Sequence, residues 1–221
     1  PAINMATKTA GISGCNPVLV GLKTDTMVDG RYGKEFSLSN STIAYDGTEV
    51  TNSGGQQFIR LGDESYLSRH INRVFTITGW IKYDGGDKAT GNEHYIFAKY
   101  KDTGTSTSHT ELDYYKITID PETSGYTAEL KFMVCSEGAA ISTTANLLYG
   151  TYHHFACVCD GEYQQIHIYI NGIYSNSSNI TTFDALNKYG IDIARPYNLS
   201  WSTSNRQNYF AGSLSDLRFY E

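Results

Sequence analysis

Three stretches in the second half of the chain alternate apolar and polar side chains, and each stops at a turn. They are Tyr152-His153-His154-Phe155-Ala156, Ile168-Tyr169-Ile170-Asn171-Gly172 and Gly212-Ser213-Leu214-Ser215-Asp216-Leu217-Arg218-Phe219-Tyr220. A β-strand turns successive side chains to opposite faces, so a stretch of this kind buries one face and leaves the other to solvent. The same alternation predicts strands at Lys34 to Leu38, Gln57 to Leu61, Val74 to Lys82, Glu93 to Tyr100, Tyr114 to Ile119, Thr127 to Cys135, His153 to Cys159, Gln164 to Ile170, Gly190 to Ala194 and Phe210 to Tyr220. Turns rich in Gly, Asn, Asp, Ser and Thr separate these runs, and no long stretch has the apolar period of a helix. An all-β fold follows, a two-sheet antiparallel β-sandwich.

Side-chain parity assigns the faces. In Gln164 to Ile170 the core side is Ile166, Ile168 and Ile170, with His167 and Tyr169 opposite. In the last strand Leu217 and Phe219 point inward, so Asp216 and Arg218 take the other face. Trp80 is out of phase with Phe75, Ile77 and Ile81, so a loop or a bound partner must cover it.

Three upstream pieces complete a pattern: Asp29-Gly30-Arg31-Tyr32-Gly33-Lys34, Phe58-Ile59-Arg60-Leu61-Gly62-Asp63 and Phe75-Thr76-Ile77-Thr78-Gly79-Trp80-Ile81-Lys82. In order and spacing, these and the three C-terminal stretches resemble the laminin-G-like, concanavalin A-like lectin jelly-roll family. The resemblance runs from about Asp29 to the last residue. It implies a single jelly-roll domain over 1–221, with an irregular N-terminal segment at 1–28, and framework roles for His153 and His154. Two departures stand out: the family usually has Trp where Tyr152 stands, and its opening strand is not recognisable in Pro1 to Gly21.

A chain of 221 residues, 40% of them hydrophobic, is long enough for one buried core. Charged residues make up only 18%, while Tyr and Gly are plentiful, a composition suited to a rigid, loop-rich protein displayed outside a cell or on a particle. The net charge of -6, without a basic cluster, excludes a nucleic-acid backbone as partner. No segment approaches a transmembrane length, which excludes membrane insertion by a helix, and Pro1 to Gly21 lacks the pattern of a signal peptide. A start at Pro1 is read either as an N-terminus after loss of an initiator Met or as the edge of a domain cut from a longer chain.

Cys157 and Cys159 stand two apart on a predicted strand and so share a face, where buried thiols of a sandwich core are expected. Pairing of Cys135 with either, or a metal held with His153, stays open on spacing alone.

The fold of the resembled family also hosts glycoside hydrolases, which need two carboxylates on one strand face, about 5 Å apart in retaining enzymes. The nearest local match is Glu111-Leu112-Asp113-Tyr114-Tyr115-Lys116. Glu111 and Asp113 share a face, but Lys116 stands where a β-glucan-cleaving family of this fold places its second Glu. With no other catalytic motif present, the chain reads as non-enzymatic. His153 and His154 are neighbours in a strand, so they face opposite ways and cannot act on one ligand.

Relatives of this fold place a structural calcium ligand where Asp216 stands, joined by carbonyl oxygens near a Gly-rich turn, here Gly30 to Gly33. Asp216 therefore has two readings, a calcium ligand with backbone near Gly30 and Gly33, or a partner of Arg218. A second acidic loop, Asp84-Gly85-Gly86-Asp87 through Glu93, is a solvated connection or another calcium loop. The candidate ligand-binding loop is 195–209, with Tyr197, Asn198, Trp201, Arg206 and Tyr209. Aromatic faces stack on sugar C–H surfaces while amides and guanidinium groups meet hydroxyls, and the same side chains suit a protein hot spot. Asn40, Asn176, Asn179 and Asn198 head glycosylation sequons, which carry meaning only in a secreting eukaryote.

These readings converge on a recognition or adhesion module that binds a glycan or protein receptor, extracellular or on a virion surface. The alternative is a structural virion protein, a phage head-decoration or tail component that contacts other subunits. A third is an unusual glycoside hydrolase.

Overall fold

The computed structural model of the chain describes residues 18–20, 27–30, 33–38, 58–61, 74–85, 93–100, 113–121, 126–134, 140–142, 146–180, 191–194 and 210–220. These hold fifteen strands, numbered in chain order, in two antiparallel sheets. One sheet runs β1 (Val18–Val20), β4 (Phe58–Leu61), β14 (Ile191–Ile193), β6 (His94–Tyr100), β7 (Asp113–Pro121), β8 (Thr127–Val134) and β10 (Leu147–Leu148), with β9 (Ala140–Ser142) also paired to β8. The other runs β13 (Ile173–Asn179), β12 (Gln165–Ile170), β11 (Tyr152–Asp160), β5 (Phe75–Tyr83), β15 (Gly212–Tyr220), β3 (Gly33–Leu38) and β2 (Met27–Gly30).

Alternation in sequence becomes alternation in burial. Every second residue of β5, from Phe75 to Tyr83, is buried, and β8 and β12 repeat the pattern. Ile77, Phe155 and Ile168 from the seven-stranded sheet and Phe97, Ile117 and Phe132 from the eight-stranded one form the core between the layers. Phe75 ties the two sheets directly, with ring centroids 5.2 Å from Tyr115 and 6.4 Å from Phe132. Such contacts supply most of the fold's favourable free energy, because apolar area leaves water on both faces of the interlayer space.

The predicted face assignments hold: Ile166, Ile168 and Ile170 are buried, and Trp80 lies half-buried on the outward face of β5. The closing strand holds a feature that parity alone does not state. Ser215 pairs with Trp80 and Arg218 with Thr78, so Asp216 and Leu217 together oppose Gly79. This is a β-bulge, and Asp216 takes a φ of 50° to form it. The bulge lets Leu214 and Leu217, three residues apart, both reach the core. Gly79 makes room for them: a Cβ there would lie 3.1 Å from Leu217 Cδ1 and from the Phe155 ring.

The N-terminal segment departs from expectation. Residues 18–20 form β1 against β4, and β2 begins at Met27, so 1–28 is not irregular throughout. Three apolar residues are too few to show a period, which is why the opening strand is not recognisable in sequence. β9, β10 and β13 are also absent from the predicted strands. β13 is a sheet edge whose residues are exposed or half-buried, so no buried face marks it.

Candidate functional site

The hairpin between β12 and β13 builds the best-defined polar arrangement on β11. Asn171 and Gly172, at φ 53° and 80°, supply the two left-handed residues that a tight hairpin between twisted strands requires. That geometry brings the Asn171 side chain against the two histidines. Its Oδ1 accepts from the His154 backbone N–H at 2.9 Å, and its Nδ2 lies 3.3 Å from His153 Nδ1. The Asn171 N–H in turn donates to the His154 carbonyl at 2.8 Å. An amide donating to Nδ1 requires that nitrogen to be unprotonated. Burial agrees, holding both His153 and His154 below the ordinary histidine pKa, opposed at His153 by the Leu148 carbonyl and at His154 by the Asp216 carboxylate. The histidines thus hold the hairpin on the sheet, and they point to opposite faces as parity requires.

On the outward face of the seven-stranded sheet, His154 meets Trp80 edge to face at 5.1 Å. Lys82 lies over the Tyr152 ring at 5.6 Å. Trp80 is therefore flanked within the sheet by the His154 imidazole. Next to it, Arg218 Nε donates to Asp216 Oδ1 at 2.6 Å, and Arg218 Nη1 donates to the Tyr220 hydroxyl at 3.3 Å. The Asp216 carboxylate, then Tyr220, holds the guanidinium above its ordinary pKa.

Of the two readings of Asp216, the structure displays the pair with Arg218. The β2–β3 hairpin, closed by the Gly30–Gly33 pair, lies on the strand beside β15. A calcium ion bound to Asp216 would share the carboxylate with the Arg218 guanidinium, cation beside cation. Among the described residues, no group of three or more His, Cys, Asp or Glu could hold a metal ion.

The catalytic candidates fall on the eight-stranded sheet. Asp113 opens β7, while Glu111 lies outside the described residues. Lys116 points away from the core and donates to Glu93 Oε2 at 3.0 Å, its ammonium 5.2 Å from the Tyr95 ring centroid. Lys131 makes a second salt bridge, to Asp120. Cys157 and Cys159 are buried on the core face of β11, and burial pushes the Cys157 thiol well up. Cys135 lies outside the described residues, as do Tyr197, Asn198, Trp201, Arg206 and Tyr209. Two of the sequon asparagines, Asn176 and Asn179, stand on β13, where Asn179 Oδ1 accepts from Gln165 Nε2 at 3.2 Å.

Sequence reasoning placed Asp216 and Arg218 on one face. It did not find the Asn171 clasp, although an Asn-Gly step after an alternating run is its signal.

The family model described as the concanavalin A-like lectin/glucanases superfamily matches residues 53–221. No curated protein matches the sequence. Domain 4 of AbnA, a GH43 extracellular arabinanase from Geobacillus stearothermophilus, solved in complex with arabinotriose, has a TM-score of 0.54 at 18% identity, covering 93% of this chain and 82% of that one. The binding domain of Paraclostridial Mosquitocidal Protein 1 gives 0.58 at 16% identity, covering 93% and 44%. A heptameric SAP-like pentraxin from Limulus polyphemus gives 0.50 at 19% identity, covering 66% and 63%. The chain thus spans less than two thirds of the length of the last two, and at these identities the likeness is one of fold.

Proposed function

The chain belongs to the concanavalin A-like lectin/glucanase superfamily, and from that premise we propose that it is a non-catalytic recognition module for a glycan or a protein receptor. The observation that carries this reading is the pairing of Glu93, just before β6, with Lys116 on β7 and of Asp120 on β7 with Lys131 on β8. A glycosidase needs a carboxyl that can give up and regain a proton beside a second one. Here the Glu93 and Asp120 carboxylates each face a lysine ammonium. The relatives support recognition: one is a binding domain and another was solved in complex with arabinotriose.

The proposed contact segment is 195–209, which joins β14 to β15 and carries Tyr197, Asn198, Trp201, Arg206 and Tyr209. A module of this kind works on an exterior surface, extracellular or on a virion. At the closing strand, we infer that the Arg218 guanidinium supplies the positive charge beside Asp216 in place of a structural calcium ion.

A glycan array with the wild-type protein and Trp201→Ala tests the reading. Saturable binding without release of reducing ends supports it. Reducing-end release that disappears in Glu111→Gln or Asp113→Asn makes the protein an enzyme instead. Association only with copies of itself or a scaffold, and with no glycan or receptor, assigns it to an assembly.

A further inference from the structure

The outward face of the seven-stranded sheet has a shape set by register. Arg218, Thr78, Ala156, Tyr169 and Tyr174 follow one another across five adjacent strands. Neighbouring strands lie about 4.8 Å apart, so this row is about 19 Å long, the length of a short oligosaccharide. Its middle is low, because Thr78 and Ala156 are small and so are Thr76 and Val158 in the next row. Its two ends stand higher and differ in chemistry.

One end is aromatic. Tyr169 and Tyr174 meet at 5.8 Å, His167 lies 6.4 Å from Tyr174, and Tyr174 is 53% exposed. Ring faces of this kind stack on the C–H faces of pyranose rings. The other end is polar. Arg218 gives Nε to Asp216 and Nη1 to Tyr220, which leaves Nη2 without a partner among the described residues, and Asp216 keeps Oδ2. Donor and acceptor thus stand side by side with their charges balanced, which suits hydroxyl groups. A polyanion would meet no surplus positive charge there and a protein of net charge -6.

Two further observations mark the polar end. Asp216 is a non-glycine residue in the left-handed region, a conformation that costs on the order of 1–3 kcal/mol and persists where its surroundings hold it. Beside it Ser215, directed to the same face, is 3% exposed and its hydroxyl has no hydrogen-bond partner among the described residues. A buried hydroxyl left unpaired is uncommon and calls for an explanation.

We propose that this face is a glycan site separate from the 195–209 segment. It takes an extended neutral oligosaccharide, stacked on Tyr169 and Tyr174 and hydrogen-bonded at its far end to Asp216 and Arg218. The proposal rests on the recognition reading and specifies a ligand class and a second place for it.

The test is calorimetric titration of the full chain with linear neutral gluco-, galacto- and manno-oligosaccharides of increasing length, beside sialylated and sulfated ones. Wild type is compared with Tyr174→Ala, Arg218→Gln and Trp201→Ala. Tyr174 is half exposed, so its truncation leaves the core intact, and unfolding temperatures check each variant. The expected result is neutral-glycan affinity that rises with length and is insensitive to salt. Tyr174→Ala and Arg218→Gln each weaken it about tenfold, whereas Trp201→Ala retains it at this face. Binding abolished by Trp201→Ala but unchanged in the other two overturns this site and leaves the recognition reading standing. A preference for the charged sugars overturns the neutral class. Self-association that Tyr174→Ala abolishes, without sugar binding, assigns the face to a second copy. Binding to no glycan and to no receptor overturns both readings.

Discussion

Replacing Asn171 by alanine removes three separable contributions from the hairpin clasp. At φ 53° asparagine is tolerated, whereas alanine adds about 1 kcal/mol of left-handed strain. The bond from the His154 N–H to Oδ1, 2.9 Å long, is worth about 1 kcal/mol net. The contact of Nδ2 with His153 Nδ1, at 3.3 Å, adds at most about 0.5 kcal/mol. The backbone bond from Asn171 to the His154 carbonyl survives. The total is about 2 kcal/mol, which for a chain of 221 residues lowers Tm by about 4–8 °C. Asn171→Gly keeps the conformation and loses the side-chain bonds, so it falls between wild type and Asn171→Ala. Thermal unfolding followed by circular dichroism at neutral pH measures both. Equal losses in the two variants would refute the conformational part of the argument, and an unchanged Tm in Asn171→Ala would refute all of it.

Gly212→Ala places a Cβ 2.0 Å from the Lys82 carbonyl oxygen at a φ of 151°, so it should cost upwards of about 3 kcal/mol or prevent folding. Gly79→Ala, whose close contacts are side-chain ends at 3.1 Å, should be milder, and denaturant unfolding of the pair ranks them. Because His153 and His154 titrate below the ordinary histidine value when folded, the unfolded chain binds more protons there. Stability is complete above pH of about 6.5 and declines as pH falls below it, and a Tm that stays level or rises from pH 7.5 to 5 would contradict this. Cys157 should resist thiol reagents in the native protein and react only on unfolding, as timed labelling will show. Calcium should leave Tm unchanged from its value in chelator, since Arg218 already neutralises Asp216, and a rise of several degrees would restore the ion.

The sandwich is legible in the sequence wherever a strand buries one face and wets the other. Phe75 to Tyr83 and Gln165 to Ile170 carry their burial pattern openly, and parity alone places Leu217 inward and Arg218 outward. Legibility fails where burial does not alternate. Ile173 to Asn179 is a polar sheet edge whose structure comes from pairing with β12 rather than from its own period. Val18 to Val20 is too short to show one. The bulge lies between these cases: Leu214 and Leu217 are an odd number of residues apart, and two core residues so spaced in one strand already require an extra position. The clasp at Asn171 is legible as a turn but not as a bond, because the histidines it meets lie on another strand.

The extra position in the closing strand has a consequence for how the sequence can change. Removing one residue from mid-strand ordinarily sends every later side chain to the wrong face. Here Ser215 opposes Trp80, Arg218 opposes Thr78, and two residues share the place facing Gly79. A chain lacking Asp216 would set Leu217 alone against Gly79 and leave Arg218 and Phe219 facing the partners they have now. The carboxylate can therefore enter or leave by the insertion or deletion of a single codon, with every downstream partner kept. The domain can vary the chemistry of its outward face at this point while its core closes in the same way.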